Sequence, residues 1–149
     1  MKKIILTLIL AISIITLANA QDYKTGIGLR GGTSWGLTLK HFVSQKAAFE
    51  GILYGYGNGF HVAGLYEIHN TAFDVDHLKW YYGGGAHLGI YDNGTDDIFV
   101  LGADGVLGIE YSFSEAPICI GIDWNPYLNV ISEFDFVPNS GALSIRYIF

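Results

Sequence analysis

The sequence is poor in cysteine and in basic residues, and each of these shortages excludes a class of protein. Its 149 residues include one cysteine, three prolines and eight basic residues against fourteen acidic ones. The lone Cys119 excludes a disulfide framework and a cysteine-based metal site, and we interpret it as a small buried or wall-facing residue. The shortage of Lys and Arg argues against a nucleic-acid partner, because binding to phosphates requires clusters of basic side chains.

Long apolar runs are also missing, except at the start of the chain. Two lysines precede an apolar run over residues 4–17, and Ala-Asn-Ala at 18–20 then gives the small-x-small pattern that signal peptidase cleaves. The run is shorter than the roughly 20 residues that a spanning helix needs. We therefore expect residues 1–20 to be a cleaved signal peptide. One domain, 21–149, remains, with six basic and fourteen acidic residues and hence a formal charge of −8.

The remaining chain shows alternation of apolar and polar residues, which is the period of a strand with one apolar face. None of its segments reaches the roughly 18 consecutive apolar residues of a transmembrane helix, and the scattered glycines and β-branched residues disfavour helix. The terminal segment shows the alternation most clearly, with Ile148 as its one exception. Its two faces are Leu143, Ile145, Tyr147 and Phe149 against Ala142, Ser144 and Arg146.

Eight such segments follow one another along the chain. They lie near residues 26–30, 34–40, 49–54, 60–68, 80–90, 101–113, 118–125 and 142–149. Eight antiparallel strands make a small bacterial outer-membrane barrel, and closure pairs every backbone N–H and C=O group, as lipid requires. The sequence therefore predicts an all-β fold: an eight-stranded antiparallel up-and-down transmembrane β-barrel. A soluble periplasmic barrel or sandwich is the alternative.

One face of these segments is unusually aromatic, and aromatic residues near segment ends suit a girdle at the membrane surfaces. The girdle candidates are Tyr23, Trp35, Phe60, Trp80, Tyr91, Tyr111, Phe113, Trp124, Tyr147 and Phe149. With the N-terminus in the periplasm, the connections at 43–46, 69–77 and 114–117 are periplasmic. Those at 31–32, 57–59, 92–97 and 129–140 form the outer loops.

The opposite face carries charges and glycines where a soluble barrel would carry an apolar core. Its charged residues are Arg30, Lys40, Glu50, Glu67, Asp104, Glu110, Asp123 and Arg146. An eight-stranded barrel has an interior just wide enough for side chains to fill. We interpret these residues as an ion-pair network that fills the lumen, organised by Arg30 and Arg146, which lie on the first and last strands.

Together, the signal peptide, the eight alternating segments and the terminal Leu143-x-Ile145-x-Tyr147-x-Phe149 pattern resemble the small outer-membrane barrels of the OmpA and OmpX type. The resemblance covers the whole mature chain. It implies location in the outer membrane of a Gram-negative cell, contact with outer-membrane lipids and lipopolysaccharide, and a monomer. It also implies that the barrel-assembly machinery reads the terminal strand. This broad group includes adhesins, anchors, porin-like proteins and lipid-modifying enzymes.

His87 is the strongest candidate for a catalytic base, because it lies in mid-strand among glycines. Lipid deacylases and acyltransferases of the outer membrane combine such a histidine with a serine and an acid. Here the next residue on the same face is Gly89, and the serines on other strands lack a nucleophile motif. No histidine pair has metal-ligand spacing, and we expect no cofactor. We predict a non-enzymatic structural or interaction role. The alternatives are a lipid-modifying acyl hydrolase or transferase and a small binding or transport barrel.

Overall fold

The computed structural model describes residues 22–132 and 134–149, so the predicted signal peptide at 1–20 lies outside the described residues. In the described ranges no helix is long and apolar enough to cross a membrane. The same ranges contain ten strands. They are β1 (Thr25–Gly32), β2 (Trp35–Phe42), β3 (Ala47–Tyr56), β4 (Gly59–Thr71), β5 (Leu78–Asp92), β6 (Asp97–Ser112), β7 (Ile118–Trp124), β8 (Tyr127–Ile131), β9 (Asp135–Val137) and β10 (Gly141–Ile148).

These strands form one closed antiparallel sheet. Each strand from β1 to β6 pairs with the next, β7 joins β6 to β10, and β10 closes the barrel on β1, with Gly28 opposite Arg146. Both β7 and β8 pair with β6, one after the other along its length, so they form a single strand of the wall. The wall therefore has eight strands, and the predicted eight-stranded antiparallel barrel is confirmed.

In β7 the apolar and polar residues that alternate in the sequence lie on opposite faces of the barrel wall. Ile118, Ile120 and Ile122 are exposed on the outside, whereas Cys119 and Asp123 are buried inside. Successive side chains of a strand point to opposite faces, and β-branched residues pack well on a pleated surface. The same division of faces recurs around the barrel.

The two ends of the barrel differ. At the terminal end, the backbone N–H of Thr25 donates to the carbonyl of Phe149 at 2.9 Å, and the turns at 43–46, 72–77 and 113–117 lie at the same end. At the opposite end, which we call the cup end, lie the turns at 33–34, 57–58 and 93–96. Strands β5 and β6 have 15 and 16 residues, but β1 and β2 have eight each, so the wall is tall on one side.

The predicted outer loop at 129–140 is only partly a loop. Strand β8 continues the wall along β6, and β9 folds back on β8 with Leu128 opposite Phe136. Pro126 interrupts the ladder because it has no N–H, but its carbonyl still accepts a 2.8 Å hydrogen bond from Gly105 N. The predicted connection at 69–77 is also shorter, because β4 continues to Thr71.

Two aromatic residues predicted for the membrane girdle lie inside the barrel. Tyr23 is 5% exposed and packs edge-on against Phe42, with ring centroids 5.1 Å apart. Because Tyr23 precedes β1, the alternation of that strand does not determine where its side chain points. Tyr91 lies two residues after the inward-facing Gly89 and lines a cavity at the cup end.

The interior is less uniformly polar than the sequence predicts. An apolar cluster of Tyr23, Phe42, Ala48, Cys119 and Ile148 closes the terminal end. A second cluster lies further up the barrel, against the wall formed by β3 to β6, and consists of Ile52, Ala63, Leu65, Tyr81 and Val106. The charged residues therefore occupy part of the lumen, between apolar groups.

Candidate functional site: the charged lumen and the cup

Lys40 is the centre of the larger ion cluster in the lumen. Its Nζ lies 2.7 Å from Oε2 of Glu67 and 3.2 Å from the Oε2 atoms of both Glu50 and Glu110. Register brings Lys40 and Glu50 together, because the two residues stand directly opposite each other on β2 and β3. The ammonium also lies 4.0 Å from the centre of the Tyr81 ring, where the electron-rich face attracts a cation.

Arg146 completes this cluster from the far side of the lumen. Its Nη2 donates to Oε1 of Glu50 at 2.7 Å, and its Nη1 lies 3.5 Å from Oε2 of Glu110. Thr38 donates its hydroxyl to Glu50, and Tyr23 donates to Glu110 at 2.9 Å. Strands β2, β3, β6 and β10 are thereby tied together through the barrel interior.

A buried histidine brings a further titratable group to the cluster. His69 places Nε2 at 3.0 Å from Oε2 of Glu67 and Nδ1 at 3.4 Å from Oε1 of Glu110. The three carboxylates face only two permanent cations, Lys40 and Arg146. Since an unbalanced buried charge is costly, a neutral cluster requires one further proton shared among His69 and the carboxyl groups.

Arg30 and Asp123 form a separate buried pair nearer the cup end. Both guanidinium nitrogens Nη1 and Nη2 donate to the Asp123 carboxylate, which is the bidentate geometry that arginine favours. Tyr81 donates to Asp123 at 3.0 Å, and Arg30 Nε donates to the Tyr54 hydroxyl at 3.1 Å. The pair joins β1 and β7, the two strands that flank β10, and its side chains are 0–1% exposed.

The structure gathers most of the predicted lumen residues into these two groups. Lys40, Glu50, Glu67, Glu110 and Arg146 form the larger cluster, and Arg30 and Asp123 form the smaller pair. Asp104 belongs to neither group, because its register places it nearer the cup end, opposite Gly85 and Tyr127.

The polar partners of these groups that sequence reasoning missed include Tyr23, His69 and Tyr81. A signal for two of them exists in the sequence. His69 lies two residues after Glu67 and therefore shares its face, and Tyr81 shares the face of Gly83. Of the predicted assembly signal, Leu143, Ile145 and Tyr147 are exposed on the outer face, and Phe149 is half-buried.

A cavity of about 250 Å³ opens at the cup end, and we call it the cup. Its lining includes Tyr54, His61, His87, Tyr91, Val100, Asp104, Tyr127, Asn129 and Asp135, with Arg30 among the residues at its base. The tall β5–β6 wall and the β8–β9 hairpin bound it on one side, and the short β1–β2 wall bounds it on the other. The uneven strand lengths thus create the cavity.

His87 is held in the cup by two oxygen atoms. Its Nδ1 lies 2.8 Å from Oδ2 of Asp104, and its Nε2 lies 2.8 Å from Oδ1 of Asn129. The His61 ring stacks nearly parallel to it, with centroids 6.0 Å apart. Because both oxygens accept hydrogen bonds, this geometry suits an imidazole that carries a proton on each nitrogen.

Two glycines make room for these imidazole rings. A Cβ added at Gly89 would lie 2.0 Å from Cδ2 of His61, and one added at Gly102 would lie 2.4 Å from Cε1 of His87. Both distances are far below van der Waals contact, so no larger residue fits while the rings stay in place. The glycines of the inner face therefore shape the cup.

This arrangement bears on the chemistry available in the cup. A general base needs a nitrogen free to take a proton from a nucleophile, and both nitrogens of His87 are already engaged. Among the residues that the structure describes, no group of three or more His, Cys, Asp or Glu side chains is placed to hold a metal ion. The cup is lined by both polar and aromatic side chains.

Comparison with known proteins provides no closer identification. No family model matches the chain, and no curated protein or solved structure shows significant similarity to it. The barrel and its interior are therefore the basis for a functional assignment.

Proposed function

We propose that this chain is an integral outer-membrane protein of a Gram-negative cell, with a non-enzymatic structural or interaction role and a lumen filled by side chains. One observation carries the proposal: the barrel wall has its polarity inverted relative to a water-soluble protein. Outward-facing Leu29, Ile122 and Tyr147 are 65%, 58% and 55% exposed, whereas inward-facing Lys40 and Arg146 are fully buried.

The inverted polarity has a large energetic consequence in water. Moving one large apolar side chain out of water is worth about 1.5–3 kcal/mol, and the apolar side chains exposed on this wall form a continuous band rather than scattered single residues. Bands of this extent exceed the apolar patches of soluble monomers. A hydrocarbon environment removes the penalty, and the closed sheet satisfies the backbone there.

The contacts inside the barrel support a lumen without a pore. The Lys40 cluster and the Arg30–Asp123 pair span the lumen at two levels, and the apolar cluster around Phe42 and Ile148 closes the terminal end. Buried, mutually bonded ions of this kind support a lumen filled by side chains. We therefore favour a structural or interaction role over transport.

Fractionation of a Gram-negative host that expresses the full chain tests the location. We expect the protein in the outer-membrane fraction, resistant to extraction by alkaline carbonate, and migrating differently on gels before and after heating, as folded barrels do. Recovery of the folded full-length protein in the soluble periplasm would reject the proposal and favour the soluble barrel.

We further propose that the barrel-assembly machinery recognises the outer face of β10 during insertion. Tyr147→Ala and Phe149→Ala together are expected to lower outer-membrane levels and leave export across the inner membrane intact. Leu37→Ala, which also removes an exposed side chain from the wall, is the matched control. Equal loss in both variants would assign the effect to stability instead of recognition.

A lipid-modifying enzyme is the second candidate, and the bonded pair of His87 and Asp104 at the cup end favours it. The refolded protein is incubated with lipopolysaccharide and phospholipid, and mass spectrometry detects lost or transferred acyl chains. We expect no turnover, since both His87 nitrogens are engaged. Turnover that His87→Ala abolishes would replace the proposed role with an enzymatic one.

A further inference from the structure

We propose that the cup binds a small organic cation, in which an ammonium group contacts the aromatic rings of the cavity. The cup lies apart from the Lys40 cluster, at the opposite end of the barrel from Tyr23 and Phe149. Its volume of about 250 Å³ lies just below the roughly 300–1,000 Å³ of pockets for drug-sized ligands. A compact ligand is therefore the right size.

Aromatic rings from three separate parts of the barrel line the cavity. Tyr54 comes from β3, Tyr91 from the end of β5 and Tyr127 from the start of β8. The Tyr127 ring stands edge-on to His87, with centroids 5.5 Å apart. Because the negative faces of aromatic rings attract ammonium groups, a cavity walled by several tyrosines is a recognised arrangement for binding organic cations.

The charges of the cup also favour a cation. Arg30 at the base of the cup is neutralised by Asp123, and His87 is hydrogen-bonded to Asp104. Asp135, which is exposed at the edge of the cup, adds a negative charge. This carboxylate would repel an anion.

The distribution of charge over the two ends reinforces this preference. In the described ranges, the turns of the cup end carry acidic residues and no Lys or Arg, whereas Lys24, Lys46 and Lys79 lie toward the terminal end. The acidic residues at the cup end are Asp92, Asp96, Asp97 and Asp135. Acidic residues near the mouth of a cavity raise the local concentration of cations there and speed their association.

A series of probes of similar size and different charge tests the proposal. Choline is the cation, 3,3-dimethylbutan-1-ol the neutral analogue and 3,3-dimethylbutanoate the anion. The mature chain is refolded in a polyoxyethylene detergent, because phosphocholine detergents would compete, and binding is measured by titration calorimetry and by NMR of labelled histidine rings. We expect choline to bind at least about tenfold more tightly than the alcohol and the anion not to bind.

Substitutions test whether choline binds in the cup. Tyr127→Leu and Asp135→Asn are each expected to weaken choline binding by about three- to tenfold, without loss of the folded barrel by circular dichroism. Asp74→Asn, which removes an exposed acid from the turn at the terminal end, should leave it unchanged. Tyr91→Phe, which keeps the ring, should also bind as the parent does.

Three results would overturn the proposal. The first is equal affinity for choline and its neutral analogue, which would indicate a site for uncharged ligands. The second is the absence of any binding at millimolar choline, and the third is equal weakening by Asp74→Asn and Asp135→Asn, which would indicate general charge attraction. The experiment uses the barrel in detergent, so its outcome is independent of the membrane location proposed above.

Discussion

Arg146 on the closing strand β10 donates a 2.7 Å hydrogen bond to Glu50 on β3, across the lumen and over a separation of 96 residues. The two strands are not neighbours in the sheet, because β1 and β2 lie between them. The contact therefore connects opposite parts of the wall through the interior. It connects the last strand of the barrel with the third strand of the chain.

Removing this guanidinium should destabilise the barrel strongly. Arg146→Ala leaves Glu50 and Glu110 with fewer positive partners in a dry interior, a loss of about 3–5 kcal/mol in the free energy of unfolding. Reversible urea unfolding in detergent or lipid measures it. Lys46→Ala, in the exposed turn before β3, should change stability by less than about 0.5 kcal/mol. A loss for Arg146→Ala as small as that of this control would contradict the buried network.

The double variant Arg146→Met with Glu50→Gln tests why the loss of Arg146 is costly. It distinguishes the loss of the attraction between the two side chains from the cost of leaving the Glu50 carboxylate buried without a cation. If the cost comes from an uncompensated buried carboxylate, neutralising Glu50 should restore about half or more of the stability that Arg146→Met alone removes. Strictly additive losses in the two single variants would show that the two side chains act independently.

A charge on the outer face tests what surrounds the barrel. Ile122 is 58% exposed and pairs with Leu143 and Ile109 across its two neighbouring strands. In lipid, Ile122→Lys should cost about 2–4 kcal/mol near the bilayer midplane, whereas Ile122→Leu should be nearly neutral. Unfolding in phospholipid vesicles gives both values. A soluble barrel would instead tolerate the lysine, so an unchanged stability argues against a lipid-facing wall.

The filled lumen predicts that the barrel does not conduct ions. The Lys40 cluster and the Arg30–Asp123 pair obstruct the interior, and an eight-stranded barrel has little further room. Purified protein in planar bilayers should therefore produce no steady single-channel current, with a large porin as the positive control. Reproducible unitary currents that persist across preparations would support the transport alternative.

Asp22 links stability to pH at the terminal end. Burial alone would raise the pKa of its carboxyl group, but hydrogen bonds with Lys79 at 2.7 Å and His77 at 2.5 Å outweigh burial and lower that pKa below its ordinary value. A lowered pKa in the folded state stabilises the fold above the unfolded pKa near 4, and this contribution disappears as the pH falls below it.

Asp22→Asn should therefore lower stability at pH 7 by about 0.5 kcal/mol, as expected for a partly exposed ion pair, and should match the parent near pH 2. Unfolding free energies measured across this range provide the comparison. Asp76→Asn, in the exposed turn at the same end, should run parallel to the parent. A difference between Asp22→Asn and the parent that grows toward acid pH would refute the assignment.

The sequence was informative about the wall because the alternation of a strand is local. Each of Ile118, Ile120 and Ile122 reveals its face from its immediate neighbours, since the side-chain period is two. The same rule placed Arg30, Lys40 and Arg146 inside. It did not apply to Tyr23, which precedes β1, and it did not reveal that the segment after Pro126 continues as strand β8.

What the sequence determined by itself is therefore the eight alternating segments and the inward set of charged residues, both of which follow from the local period. Only the tertiary structure decided which charges meet. The stagger between strands places Lys40 among three glutamates and pairs Arg30 with Asp123. It also places Asp104 beside His87 in the cup, where the two side chains are hydrogen-bonded. Those contacts join residues 10 to 93 positions apart, and the longer ones depend on how the strands are offset around the closed sheet, which no local pattern records.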